Sequence, residues 1–244
     1  MAPPESLSPG EGPRPESSSR APEVLPTGLR WRVTSRFTAR SRGLRFARFM
    51  ELMSPSPTDR ILDVGVTDTA WRSSNPLEAA YPWPERITAV GLEPMPTFQG
   101  LFPAVDFVVA DGRSLPFTDK TFDIGYSNAV IEHVGSLADQ RQFVSELRRT
   151  CRRVWISTPN ARFPIDPHTL LPFVHWLPRG IRHPILRITG NGHWASEAAL
   201  RPINATELRS MFPRGDSVRI VRQRVLGLTT NLTAVSGDAS AKGR

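Results

Sequence analysis

Short apolar runs that end in polar residues recur through the middle of this chain. Ile61, Leu62 and Val64 form the first and stop at Gly65. A run of this length closed by a glycine reads as a buried strand whose end a ligand can approach closely. The second run, residues 86–92, ends in Glu93; the third, 105–110, ends in Asp111-Gly112; the fourth, 122–127, ends in Ser127-Asn128. A fifth strand is expected near 153–158. Leu137, Phe143, Val144 and Leu147 recur at near-helical spacing and predict a helix over 138–150, with a shorter one near 75–81. Strands alternating with helices predict an α/β fold, a parallel sheet covered on both faces. Ligands of such sheets lie outside the carboxyl ends of the strands, where the polar residues gather.

The flanks differ in texture. Residues 1–28, rich in Pro, Ser, Glu and Gly, read as a disordered tail. Residues 29–57 form an Arg-rich segment, with seven arginines between Arg30 and Arg48. Within it Leu44–Met53 predicts a helix with one apolar face and an Arg-covered outer side; a basic amphipathic contact with anionic lipid is the alternative. Ser54-Pro-Ser-Pro57 ends that helix. The α/β domain is expected over 58–235. Inside it, residues 161–203 mix Pro, His, Trp, Phe, Leu and Arg without clear periodicity and read as an inserted covering segment. Asn204-Ala-Thr-Glu207 has the pattern of a capping box. Residues 218–225 and 229–235 predict a closing hairpin, and 236–244 a frayed tail.

Composition narrows the setting. A chain of 244 residues suits one such domain with appended segments. The net charge of +8 fits an anionic membrane, a nucleic acid or simply an Arg-rich surface. A single cysteine, Cys151, excludes an internal disulfide and a multi-thiolate metal site. The most apolar window, 169–178, is too short to span a bilayer and holds two prolines. The N-terminus lacks an apolar signal core, so a cytoplasmic protein is expected, with membrane-surface association as a further possibility.

The polar strand ends suit a nucleoside-containing ligand. Gly65 gives close backbone approach, Glu93 is placed for ribose hydroxyls, and Asp111 can accept from an exocyclic amine. Asp63 holds the loop or an amino group. A nicotinamide dinucleotide fits poorly, because its pyrophosphate turn needs three glycines. Here Val66-Thr-Asp-Thr-Ala-Trp71 follows Gly65, and Asp68 puts negative charge where the pyrophosphate would sit.

The order Ile61-Leu-Asp-Val-Gly65, Glu93, Val109-Ala-Asp-Gly-Arg-Ser-Leu-Pro-Phe117 and Thr121-Phe-Asp-Ile-Gly-Tyr-Ser-Asn-Ala-Val-Ile-Glu-His-Val134 resembles the class I S-adenosylmethionine-dependent methyltransferases of the type 11 group. The resemblance covers about residues 58–160. It implies a Rossmann-like seven-stranded sheet with the last strand antiparallel, and S-adenosyl-L-methionine as cofactor. It places Asp63, Gly65, Thr67, Glu93, Asp111, Gly112 and Asn128 around that cofactor. One departure stands out. Most of the family has two or three glycines in the first loop, where this chain has Thr67 and Thr69. Either the hydroxyls and Asp68 contact the methionine part, or cofactor binding has decayed; retained binding is the expectation.

Methyl transfer needs alignment above all, and a base when the acceptor is a hydroxyl or ammonium. His133 and His168 are the candidate catalytic bases, while His175, His183 and His193 read as structural or surface groups. Some quinone-pathway methyltransferases resemble the chain around Glu132-His133 and bind a divalent metal through a further upstream glutamate. Ala129 stands there, so no metal is expected. Residues 162–187 combine aromatic and aliphatic residues with Arg179, Arg182 and Arg187, which suits a small or lipid-linked acceptor methylated on oxygen. An RNA- or protein-directed enzyme is the alternative, disfavoured because no RNA-binding module or base-methylating motif is present. A non-catalytic relative that binds the cofactor is another.

Overall fold

Each apolar run becomes a strand: β1 Ile61–Val64, β2 Ile87–Gly91, β3 Asp106–Val109, β4 Phe122–Asn128 and β5 Cys151–Pro159, all parallel. The closing hairpin adds β6 Val218–Val225 and β7 Leu228–Ser236. The computed structural model describes residues 29–196 and 199–237, with side chains from residue 40 onward. The tail expected over 1–28, and all but the start of the one over 236–244, lie outside the described residues. The sheet order is β3-β2-β1-β4-β5-β7-β6, with β7 antiparallel to both neighbours. Register places Asp63 beside Ala89 on one side and Tyr126 on the other, so β1, β2 and β4 end nearly level. Strand order reverses between β1 and β4, which opens a crevice at their carboxyl ends.

Alternation along β1 and β5 sorts side chains between two cores. Leu62, Val64, Val154 and Ile156 pack with Phe143, Val144 and Leu147 of α4 (Leu137–Thr150) and Leu208 of α6 (Ala205–Ser210). Ile61 and Trp155 pack on the opposite face with Phe49 and Met53 of α1 (Leu29–Met53), Leu77 of α2 (Pro76–Ala80) and Phe98 of α3 (Pro96–Leu101). Asp63 shares the pleat direction of Ile61 and therefore points towards α2. The capping boxes are formed: Ser136 with Asp139 opens α4, and Asn204 with Glu207 opens α6.

The helices depart from expectation in three places. α1 begins at Leu29, and from Ala39 onward it belongs to the same compact unit as the sheet. Its arginines are not all on the outside: Arg45 is only 8% exposed, whereas Leu44 faces solvent. The insertion contains α5 (Arg179–Ile188), whose apolar residues Ile181 and Ile188 face outward while Leu186 is buried. α3 is too short for its periodicity to register in the sequence. Among the described residues, no helix is long and apolar enough to cross a membrane.

Candidate active site

The loop after β1 decides whether a nucleoside can approach the sheet. Gly65 has φ +103°, a conformation that disfavours any side chain, and a methyl group there would collide with Val130. The missing glycines are replaced by side-chain ties. Asn75, 3% exposed, accepts from the Thr67 backbone N–H at 2.9 Å and from its hydroxyl at 3.2 Å, and donates to the Thr67 carbonyl at 2.9 Å. Asp68 does not reach towards a ligand. Its carboxylate accepts from the backbone N–H of Phe98 at 2.7 Å and closes the first turn of α3. Thr67 and Asp68 thus fix the loop through neighbours that the sequence did not single out.

Asp63 is buried, and its pKa is pushed well up, first by burial and then by the neighbouring Glu78. Glu78, on α2, is likewise raised by burial. The two carboxyls are close enough to perturb each other, although neither Glu78 oxygen meets hydrogen-bond geometry. Burial and mutual proximity favour retention of a proton by this pair at the end of β1. The carboxylate of Glu93, by contrast, is exposed beyond β2. Asp111 is gripped by Arg113, whose guanidinium donates at 2.6 and 3.0 Å and holds the carboxyl below its usual range. At Gly112 the core closes tightly: a methyl group there would lie 2.5 Å from Phe143 and 2.8 Å from Val64. Asn128 Oδ1 accepts from Arg45 Nε at 3.0 Å, so α1 reaches the carboxyl edge. Glu93, Asp111 and Asn128 thus lie at or just beyond the carboxyl ends of β2, β3 and β4, with Gly65 at the end of β1.

The two candidate bases meet. His133 follows β4 in the short helical turn Ile131–His133, and His168 comes from the insertion. Their Nε2 atoms are 3.1 Å apart. His168 Nδ1 lies 3.0 Å from Asp166, and His133 Nδ1 lies 2.8 Å from the Ala199 carbonyl. Burial acts to raise the Asp166 carboxyl, but the hydrogen bonds from His168 outweigh it and hold it low. Glu132, 1% exposed, accepts from Thr158 Oγ1 at 2.9 Å through one oxygen; its other oxygen has no partner. Trp194 packs across both imidazoles. His175 lines the same small cleft as His168, His193 stacks on Trp194, and His183 lies on α5.

Comparison with known proteins now bears on this arrangement. Residues 74–154 match the family model of the methyltransferase domain. Over that stretch the sequence is similar to methyltransferase domains. Solved structures share its fold at low identity. The carbon methyltransferase of CurJ aligns with a TM-score of 0.55 at 13% identity, over 87% of this chain and 59% of that one. The N-methyltransferase NodS from Bradyrhizobium japonicum WM9 aligns at 0.52 and 12%, over 82% and 95%. Magnesium protoporphyrin IX methyltransferase from Synechocystis PCC 6803, with S-adenosylhomocysteine bound, aligns at 0.50 and 14%, over 87% and 89%. A search of curated protein sequences finds no match. The expected seven-stranded methyltransferase sheet is therefore present, strand for strand. The neighbours' names point to different acceptors, so the shared fold leaves the acceptor open.

Proposed function

We propose that this methyltransferase moves the methyl group of S-adenosylmethionine to an oxygen of a small or lipid-linked acceptor lying under the insertion. The observation that carries the reading is the insertion itself. It brings Asp166 and His168 to His133 at the carboxyl edge while turning apolar side chains outward. Phe173, Trp176 and Ile181 are about half exposed and Ile188 is 84% exposed, beside Arg179, Arg182 and Arg187. An outward apolar face rimmed by arginines suits the interface of an anionic membrane. That surface would present a lipid-linked acceptor to the edge. A cavity of about 300 Å³, bordered by Asn160, Phe163, Arg222, Leu228 and Leu232, gives room for an apolar acceptor group between the insertion and the hairpin.

The sulfonium supplies an already activated methyl group, and the chain's residues do the rest. In this reading Glu93 orients the donor, and the insertion excludes water. An acceptor hydroxyl must also lose its proton, for which His133 and His168 are the nearest groups. Donor with a labelled methyl group, incubated with separated lipid, aqueous, RNA and protein fractions of a cell extract, tests the reading. Label should enter the lipid or small-molecule fraction, with vesicle binding that requires anionic lipid. Phe173→Ala with Trp176→Ala should reduce turnover on that acceptor. Label confined to RNA or protein, or full turnover by the double variant, overturns it.

A further inference from the structure

Hydrogen-bond accounting around the two histidines leaves an excess of lone pairs. The Ala199 carbonyl can only accept, so His133 Nδ1, 2.8 Å away, carries the hydrogen. Both Asp166 oxygens already accept, from the His168 backbone N–H at 2.9 Å and from Thr169 Oγ1 at 3.2 Å, so His168 Nδ1 carries the hydrogen there. In the neutral imidazoles both Nε2 atoms are then bare acceptors, yet they face each other at 3.1 Å. The unpartnered oxygen of Glu132 is 3.9 Å from His168 Nε2. Three lone-pair donors within 4.8 Å of one another are spaced to hold a cation between them. One shared proton would satisfy the two nitrogens and leave the buried Glu132 oxygen unpaired, which is costly.

We infer that Glu132, His133 and His168 form a binding site for a divalent transition metal of the zinc class. Two ligands on a tetrahedral zinc with bonds of about 2.0–2.1 Å lie about 3.3 Å apart, close to the 3.1 Å between the imidazole nitrogens, with the Glu132 oxygen farther out at 3.9 Å from His168. Each ligand is also anchored through its far atom: His133 by Ala199, His168 by Asp166 and Glu132 by Thr158. Such outer partners fix the tautomer and the direction of metal-binding side chains. Two imidazoles and one carboxylate leave a further coordination position, as in sites where the metal meets a substrate oxygen. The site joins β4 to the insertion, so a bound metal would also clamp the covering segment onto the sheet. With metal bound the imidazoles would be ligands rather than the free bases of the reading above. A coordinated acceptor hydroxyl would be acidified by the cation.

The inference does not depend on methyl transfer and is tested without donor or acceptor. The full chain, stripped with a chelator, is titrated with Zn²⁺, and separately with Co²⁺ to read the visible spectrum. One equivalent should bind, with Co²⁺ giving the intense bands of low coordination. His168→Ala and Glu132→Gln should each weaken binding about 100-fold or more, and Asp166→Asn about 10–100-fold. His183→Ala should change nothing, and circular dichroism checks that each variant is folded. Where a variant does not fold, wild-type nitrogen NMR decides: metal uptake must shift the Nε2 resonances of His133 and His168. Absence of stoichiometric binding, a Co²⁺ spectrum of the hexa-aquo type, or a shared proton between the two rings that Zn²⁺ does not displace overturns the inference.

Discussion

Replacing Asn75 by alanine removes the tie that stands in for the missing loop glycines. Three hydrogen bonds to Thr67 disappear, two at 2.9 Å and one at 3.2 Å. At about 1 kcal/mol each, and with a nearly buried backbone N–H left without its partner, the loss should be about 2–4 kcal/mol. That is a large share of the stability of an ordinary domain. Urea unfolding followed by circular dichroism measures it, and an unchanged m-value would confirm that the transition itself is unaltered. Calorimetry with S-adenosylhomocysteine should show a parallel weakening of about tenfold or more, since each 1.4 kcal/mol of loop ordering is a tenfold change. Asn75→Asp separates the bonds: it keeps the acceptor and turns the donor towards Thr67 into a repelling oxygen. A change below about 0.5 kcal/mol for Asn75→Ala, with affinity preserved, would refute the idea that this side chain holds the loop.

Glu78→Gln should raise stability at neutral and alkaline pH. Both carboxyls of the Asp63–Glu78 pair have raised folded pKa values, so the folded state binds more protons than the unfolded chain. Stability is then greatest below the ordinary carboxylate range and falls as pH climbs through the raised values. Denaturant midpoints from about pH 4 to about pH 8 should fall for the wild type and fall less in the variant, where only the buried Asp63 still has a proton to lose; identical slopes would contradict the pairing. Gly65→Ala should cost about 2 kcal/mol or more, because the backbone at φ +103° is strained for alanine and the new methyl meets Val130. Val130→Ala in the same chain should recover the steric part and leave the backbone part; full recovery would show that φ is not limiting.

The sheet was legible because each strand is a compact apolar run with a polar residue at its end. The final hairpin showed itself through partial alternation of apolar and polar residues. Helices α3 and α5 were not legible. α3 has only six residues, and α5 splits its apolar residues, burying Leu186 while Ile181 and Ile188 stay exposed. That Gly65 and Glu93 stand just beyond strand ends could be read from position alone. Arg45, Asn75, Glu78 and Asp166 could not. Each acquires its role from a partner distant in sequence or across a turn: Arg45 from Asn128, Asn75 from Thr67, Glu78 from Asp63, and Asp166 from the meeting of His168 with His133. A polar residue in isolation carries no sign of such a partner. The Thr67–Asp68 segment shows the limit most clearly, because its hydroxyl and carboxylate, expected to face a ligand, are spent on Asn75 and Phe98.

The central claim is that Glu93 receives the ribose of an adenosyl methyl donor. Calorimetric titration of S-adenosylhomocysteine into the wild type and Glu93→Ala tests it most directly. Loss of two hydrogen bonds to a charged carboxylate, about 1.5–3 kcal/mol each, predicts at least a hundredfold weaker binding with the fold intact. Equal affinity in the two proteins would contradict the assignment of this edge as the donor site.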